Sequence, residues 1–310
     1  MASTTALKQR ITSVRNTRQI TKAMQLVSAS KMRRAQEYAF KSRDYRDAAT
    51  ELLQRLGAIE EVTREPLFKK RTVTTRLYIV VTSNSGLAGA YNANALKLLG
   101  KSLKQDKADN VTSRVITIGS KASQFVRRIS GVELEAAYSA FGDQPTANDL
   151  RPILNTLMDQ YKDETVDEVR IIYTDFKSNL LQEATSMQLL PATPLKADTA
   201  VPPANFEPDL ETVVDRVVIR LVEAQLYQAL LESLASEHSM RMIAMKNATD
   251  NANDLIDDYT LAYNTARQAG ITQELAEITG GGSQWVVNSK QITRMNMKEK
   301  HNGHSNEATN

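Results

Sequence analysis

The stretch Ser3-TTALKQRITSVRNTRQITKAMQLVSASKMRRAQEYAFKSRDYRDAATELLQRL-Gly57 holds no proline and, before its last residue, no glycine. Apolar side chains recur in it at helical spacing: Leu7, Ile11 and Val14, then Ile20, Met24 and Val27, and further on Tyr45, Ala48 and Leu52. The pattern predicts one helix over residues 1–60, with Gly57 as its C-terminal cap and Pro66 beyond it. At 1.5 Å per residue such a helix is roughly 80 Å long. That is several times the usual globular length, so it requires an equally long partner.

The partner lies at the other end of the chain. A Pro-rich linker, residues 191–208, carries prolines at 191, 194, 202, 203 and 208, and no proline or glycine follows until Gly270. Alternating steps of four and three from Val217 meet Leu221, Ala224, Gln228, Leu231, Ala235, His238, Met242, Met245, Thr249, Ala252, Ile256, Tyr259, Tyr263 and Ala266. That is a coiled-coil seam and predicts a helix over 209–279. Its first half has further apolar flanks (Val214, Val218, Val222, Leu226, Leu230); past Met245 the flanks turn polar, as in Asp250, Asn251, Asp254 and Asp257. Residues 1–72 carry 16 basic and 7 acidic side chains, residues 207–279 carry 5 and 13, and these opposite charges favour pairing. Residues 280–310 are polar apart from Trp285, Val286 and Val287, and read as a flexible extension.

Between the helices, residues 74–190 alternate strands and helices. Strands are predicted at Leu77–Thr82, Arg114–Ile118, Glu168–Thr174 and Ala184–Leu190, with helices at Asn92–Gln105, Gly119–Arg128 and Asp149–Tyr161. The fold class is therefore an α/β Rossmann-like domain with a mainly parallel, doubly wound sheet, inserted between two long terminal helices that form an antiparallel coiled coil.

Motifs for chemistry are scarce. The chain has no cysteine, which excludes disulfides, thiolate zinc sites and cysteine nucleophiles. No run of 18 apolar residues is present to span a membrane. The first strand–helix loop, Ser85-GLAGA-Tyr91, lacks the three-glycine dinucleotide fingerprint, and Gly119-Ser120-Lys121 lacks the upstream glycine of a phosphate loop. Both read as tight turns. His238 falls in the seam, His301 and His304 in the polar tail, and no Gly-x-Ser-x-Gly elbow occurs. No catalytic, cofactor-binding or metal-binding residue is expected. The first 36 residues hold eight basic side chains and no acid, as a transit peptide would, but the helical pattern runs on without a break. Arg15, Arg18, Lys22, Lys31, Arg33 and Arg34 share that helix with Val14, Ile20, Met24 and Val27, which need a protein partner rather than nucleic acid. A nucleotide-dependent α/β enzyme and a nucleic-acid-binding coiled-coil protein are the competing readings.

Three stretches resemble the gamma subunit of the F-type, rotary ATP synthases: Ile11-TSVRNTRQITKA-Met24 with Val27-SASKM-Arg33; the loop Ser83–Asn92; and Leu234-AS-Glu237, Arg241-MIAM-Lys246, Ala248-TD-Asn251 and Tyr263-NTARQAGITQELAE-Ile278. The likeness runs from residue 3 to 279 in the family's order. It implies a non-catalytic rotor shaft, one copy per complex, held inside a hexamer of alpha and beta subunits. Its lower end would sit with the epsilon subunit on the membrane ring of c subunits. It implies no cofactor and no nucleic acid, and a peripheral place at the membrane; the absence of a convincing leader favours the cytoplasmic side of a bacterial plasma (inner) membrane. Rotor–stator contacts of the family fall by position on Arg267, Gln268, Thr272 and Glu274, and on Met24 facing Arg241 and Lys246. The family's loop carries an arginine, a cysteine and a further glycine where this chain has Ser85, Ala88 and Ala90, so the role of that arginine does not transfer.

Overall fold

The computed structural model describes residues 4–57, 66–139, 141–178, 181–192 and 210–302, the side chains of 45, 46, 49, 50, 52–57, 210, 211 and 280–302 excepted. Most of the Pro-rich linker and residues 303–310 of the extension lie outside the described residues. The elements are α1 (Thr4–Gly57), β1 (Thr75–Val81), α2 (Tyr91–Ala108), β2 (Thr112–Ile118), α3 (Ser120–Val126), β3 (Glu133–Tyr138), α4 (Ala147–Lys162), β4 (Glu168–Phe176), β5 (Gln182–Leu190) and α5 (Leu210–Asn302). This is the α/β Rossmann-like domain between two long helices that the sequence predicts. The chain divides into two compact units, Thr21–Ala248 and a second made of Met1–Ile20 with Thr249–Asn310.

In the larger unit the sheet order is β3-β2-β1-β4-β5, with β1 to β4 parallel and β5 antiparallel to β4. Alternation along β1 sorts the core into two layers. Leu77, Ile79 and Val81 pack with Leu150, Ile153 and Leu157 of α4 and with Val218, Val222 and Leu226 of α5. Tyr78 and Val80 face the other way, onto Leu99 and Leu103 of α2 and Ala122 and Val126 of α3. Each such fully buried aliphatic side chain stabilises the fold by about 2 kcal/mol. At the amino end of the sheet the Asp106 side chain is buried, and its oxygens are met by Arg76, by Tyr78 Oη at 2.8 Å and by Ser113 Oγ at 2.8 Å.

One strand is absent from the sequence reading. β3 (Glu133–Tyr138) carries two glutamates and two alanines and is nowhere fully buried, so it has neither the β-branched composition nor the apolar run that marks a strand. It lies at the sheet's edge, where charged residues discourage pairing with other chains.

The apolar face of α1 also needs correction. Leu7 and Ile11 are buried as expected, but Ile20 is 62% exposed and Val27 54% exposed. The buried positions are instead Thr21, Ser28, Met32, Ala35 and Ala39. These continue the 3.5-residue frame of Leu7 and Ile11 without a shift, so the frame outweighs the apolar character of individual residues. Small side chains at Thr21, Ser28 and Ala35 also admit close approach of α5. Ala48 is exposed, and the side chains of Tyr45 and Leu52 lie outside the described residues.

The two long helices run antiparallel within each unit. In the smaller one Arg10 stacks over the Tyr259 ring at 5.9 Å while Arg18 donates to Asn253 Oδ1 at 3.3 Å, so the register falls along α5 as it rises along α1. In the larger unit Ser42 bonds Gln228, whereas Lys31, earlier on α1, acts on the charges of Glu237 and His238, later on α5. Every residue of α5 from Leu221 to Ala224 and from Gln228 to Ser233 is buried. Past Met245 burial narrows to Thr249, Ala252 and Ile256. α5 does not stop at Thr279 but continues to Asn302 through Gly280, Gly281 and Gly282. Glycine weakens a helix by about 1 kcal/mol relative to alanine without excluding it.

Candidate functional site

In a doubly wound sheet ligands bind beyond the carboxyl ends of the strands, where the strand order reverses. Here the reversal falls between β1 and β4. α5 fills that position. Ser233 Oγ lies 2.7 Å from Tyr91 Oη and accepts the Thr174 amide at 3.4 Å; Ser236 Oγ donates to Thr174 O at 3.2 Å; Gln182 Nε2 donates to Ser239 Oγ at 3.2 Å. The three serines stand at i, i+3 and i+6, one face of the helix, and all are buried. Their small size lets the helix sit against the strand ends, and burial pushes the Tyr91 phenol well above its ordinary value.

The neighbouring helix terminus is equally committed. The first amides of α3 are all taken by the loop after β1: Ser120 N donates to Asn84 Oδ1 (3.1 Å), Lys121 N to Ser83 O (3.2 Å) and Ala122 N to Thr82 Oγ1 (2.9 Å). Gly119, with φ of 100°, makes this approach possible, because a Cβ there would stand 2.1 Å from Thr82 O. Amides that elsewhere cradle phosphate are here spent on the chain itself.

A charged junction surrounds the same loop. Arg241 of α5 is only 8% exposed. Its Nη2 donates to Ser85 Oγ at 3.3 Å and to Gly86 O at 3.4 Å, and its Nη1 pairs with Glu237 Oε1 at 2.7 Å. Gly89, at φ of 55°, packs on the Met240 carbonyl and Ala244. Burial raises the Glu237 carboxyl above its usual range although Arg241 and Lys31 oppose the rise. His238 is buried beside it; its Nδ1 lies 3.4 Å from Arg241 Nη1, and its Nε2 has no hydrogen-bond partner. Desolvation, then the Arg241 charge, lower its pKa to about 4.

Of the residues singled out in the sequence, Met24 is half-buried on α1, Arg241 is in this junction and Lys246 is exposed one turn on. Arg267, Gln268, Thr272 and Glu274 belong to the smaller unit and are all exposed, as is every residue from 267 to 279. Thr272 Oγ1 bonds back to Gln268 O at 2.9 Å, so α5 stays regular there. Exposed Ile271, Leu275 and Ile278 interleave with these polar residues. Sequence reasoning missed Glu237, Asp143 and the serine ladder. The 233/236/239 spacing was a visible signal, whereas Asp143 sits in a loop with no pattern. Among the described residues no three His, Asp or Glu side chains are grouped to hold a metal ion. A groove of about 990 Å³ between α2, α3 and β5 is lined by Lys97, Lys101, Lys104 and Phe125, and its one carboxylate, Glu183, is bonded to Lys177 at 2.5 Å.

A family model described as ATP synthase matches residues 3–283. The ATP synthase gamma chain of Xylella fastidiosa (strain M12) is 40% identical over 286 residues, covering 91% of this chain and 99% of its own length. That of Stenotrophomonas maltophilia (strain R551-3) is 41% identical over 288 residues, with the same coverage. Among solved structures, the central stalk/c-ring of the Tetrahymena thermophila mitochondrial ATP synthase aligns with a TM-score of 0.58 and 25% identity, over 74% of this chain and 99% of that one. The Euglena gracilis mitochondrial ATP synthase (OSCP/F1/c-ring, rotational state 3) aligns over 99% and 98% with a TM-score of 0.63, and at 17% identity it is a likeness of fold.

Proposed function

The chain belongs to the ATP synthase gamma-chain family, and from that premise we propose that it is the central-stalk rotor of a bacterial ATP synthase, without catalytic residues of its own. One copy stands in a hexamer of alpha and beta subunits, and the sheet domain rests with the epsilon subunit on the c-ring, peripheral to the plasma (inner) membrane on its cytoplasmic side. Ion-driven rotation of the ring turns the helix pair, which presents unlike faces to three catalytic subunits in succession.

The observation that carries this reading is the exposed run 267–279 of α5. Among the described residues nothing covers Ile271, Leu275 and Ile278, and a helix so bare to solvent calls for a partner. Exposed Ile20, Leu26, Val27 and Phe40 on α1 call for the same. Arg267, Gln268, Thr272 and Glu274 are then the polar contacts to the catalytic subunits, with Met24 and Lys246 nearer the sheet domain. Arg241, whose donors are turned inward, acts by holding the Ser85 loop. The non-catalytic role is supported by the ligand position of the fold being filled by α5, with the α3 amides used internally. No helix among the described residues is long and apolar enough to cross a membrane.

Reconstitution with the alpha and beta subunits tests the proposal. Assembly of an ATP-hydrolysing hexamer is expected to depend on this chain. An equally active hexamer formed without it, or tight ATP binding by the isolated chain, would refute the rotor reading.

A further inference from the structure

Asp143 lies in the loop that joins the edge strand β3 to α4, and that loop is fixed on both sides. At its start Gly119 N donates to Tyr138 O at 2.9 Å. At its end Tyr227 of α5 donates to Pro145 O at 3.1 Å, and a capping box closes α4, with Thr146 N at 2.7 Å and Thr146 Oγ1 at 2.9 Å from Asp149 Oδ2. Between these anchors the Asp143 carboxylate stands before both long helices. Its Oδ1 is 2.9 Å from Lys31 Nζ of α1 and 3.9 Å from His238 Nε2 of α5.

His238 of α5 borders the same carboxylate. Arg241, a donor without acceptor capacity, faces Nδ1, so the neutral imidazole carries its proton on Nε2. That N–H is buried and has no hydrogen-bond partner, the Asp143 carboxylate at 3.9 Å being beyond hydrogen-bond range. The charged groups around the imidazole are Glu237 and Arg241 from α5, Lys31 from α1 and Asp143 from the loop. The hydrophobic driving force along the helix seam is itself non-directional, and the orientation of the helices is set by interdigitation of their side chains. Contacts fixed in direction add to that packing, and this loop makes one to each helix: Asp143 Oδ1 meets Lys31 Nζ of α1, and Pro145 O accepts from Tyr227 Oη of α5.

We propose that the loop 141–146 locks the sheet domain to both helices, with Asp143 as the positioning residue that holds α1, so that rotation of the domain passes to the helix pair without slip. The inference rests on the rotor reading above and adds to it the point of attachment. Lys31 and Asp143 are each about two-fifths exposed (38% and 42%), so neutralising them leaves the core intact. A pair so exposed biases an equilibrium by a factor of roughly two to five.

The test uses the whole complex in inverted membrane vesicles, with ions pumped per ATP hydrolysed as the readout. Asp143→Asn is expected to keep hydrolysis and the unfolding midpoint while lowering the pumping ratio roughly two- to fivefold. The exchanged pair, Lys31→Asp with Asp143→Lys, is expected to restore most of the ratio, which a merely structural residue would not do. An unchanged ratio in Asp143→Asn overturns the inference, and so does an exchange that fails to rescue a lowered one. If the wild-type chain itself supports no pumping, the rotor reading falls instead.

Discussion

At the scale of single residues, the junction on α5 shows what burial does to an imidazole that has no carboxylate within hydrogen-bond range. His238 is held neutral, with a pKa near 4 against an ordinary 6.5. The unfolded chain therefore binds this proton at a higher pH than the folded one. Below pH 6.5 the unfolded state is favoured progressively, and the effect saturates once the pH falls below about 4. The sign is a loss of stability on acidification, reaching about 3 kcal/mol at most for a shift of this size. Urea unfolding of the wild type and of His238→Gln between pH 7.5 and 4 measures it. The wild type is expected to lose stability more steeply than the variant across that window, and parallel curves would show that the histidine is not held neutral. Arg241 was visible in the sequence as a family position, but its partners Glu237, Ser85 and Gly86 were not. They come from helix register and from a loop whose path depends on positive φ at Leu87 and Gly89.

At the scale of elements, the β1, β2 and α3 junction turns on one glycine. Gly119 has φ of 100°, and a side chain there would meet the Thr82 carbonyl at 2.1 Å. Gly119→Ala must strain the backbone and displace the segment after β1 that also supplies Asn84 and Ser83 to α3. We expect a loss of at least about 2 kcal/mol. Gly86→Ala, with open space around it, is expected to stay within about 0.5 kcal/mol of wild type. Urea midpoints of the two variants settle the contrast, and equal effects would contradict it. These elements also show which parts of the fold were legible beforehand. Leu77 to Val81 announces itself as a buried strand because both faces are covered by helices, so every position is apolar. β3 does not, since an edge strand needs only half the burial and tolerates Glu133 and Glu135. On α1 the visible Ile20 and Val27 drew the stripe one residue off the true frame of Thr21 and Ser28. Composition pointed one way and periodicity the other. Periodicity decided the packing, and the displaced isoleucine and valine are left for a partner.

At the scale of the whole molecule, the two terminal helices are built from the same seam but serve different neighbours. In the unit Thr21–Ala248 the seam is wide and belongs to the sheet's own core. In the other unit it narrows to Leu7, Ile11, Ala252 and Ile256, and from residue 267 to 279 it is bare. The matched family region ends at 283, yet α5 remains helical to Asn302, roughly 35 Å beyond Thr279. In the proposed complex this end lies deepest in the hexamer, so the added turns either fill the bore or emerge on its far side. Assembly depends on the matched region and should survive their removal. Turnover depends on how freely the shaft rotates in the bore and should not be indifferent to it. Truncation of residues 283–310 is therefore expected to leave the purified complex intact in subunit composition while changing its ATP hydrolysis rate. Steady-state hydrolysis by the two complexes, compared at equal subunit content, checks this. Identical rates would remove the regulatory role of the extension and leave the rotor reading untouched.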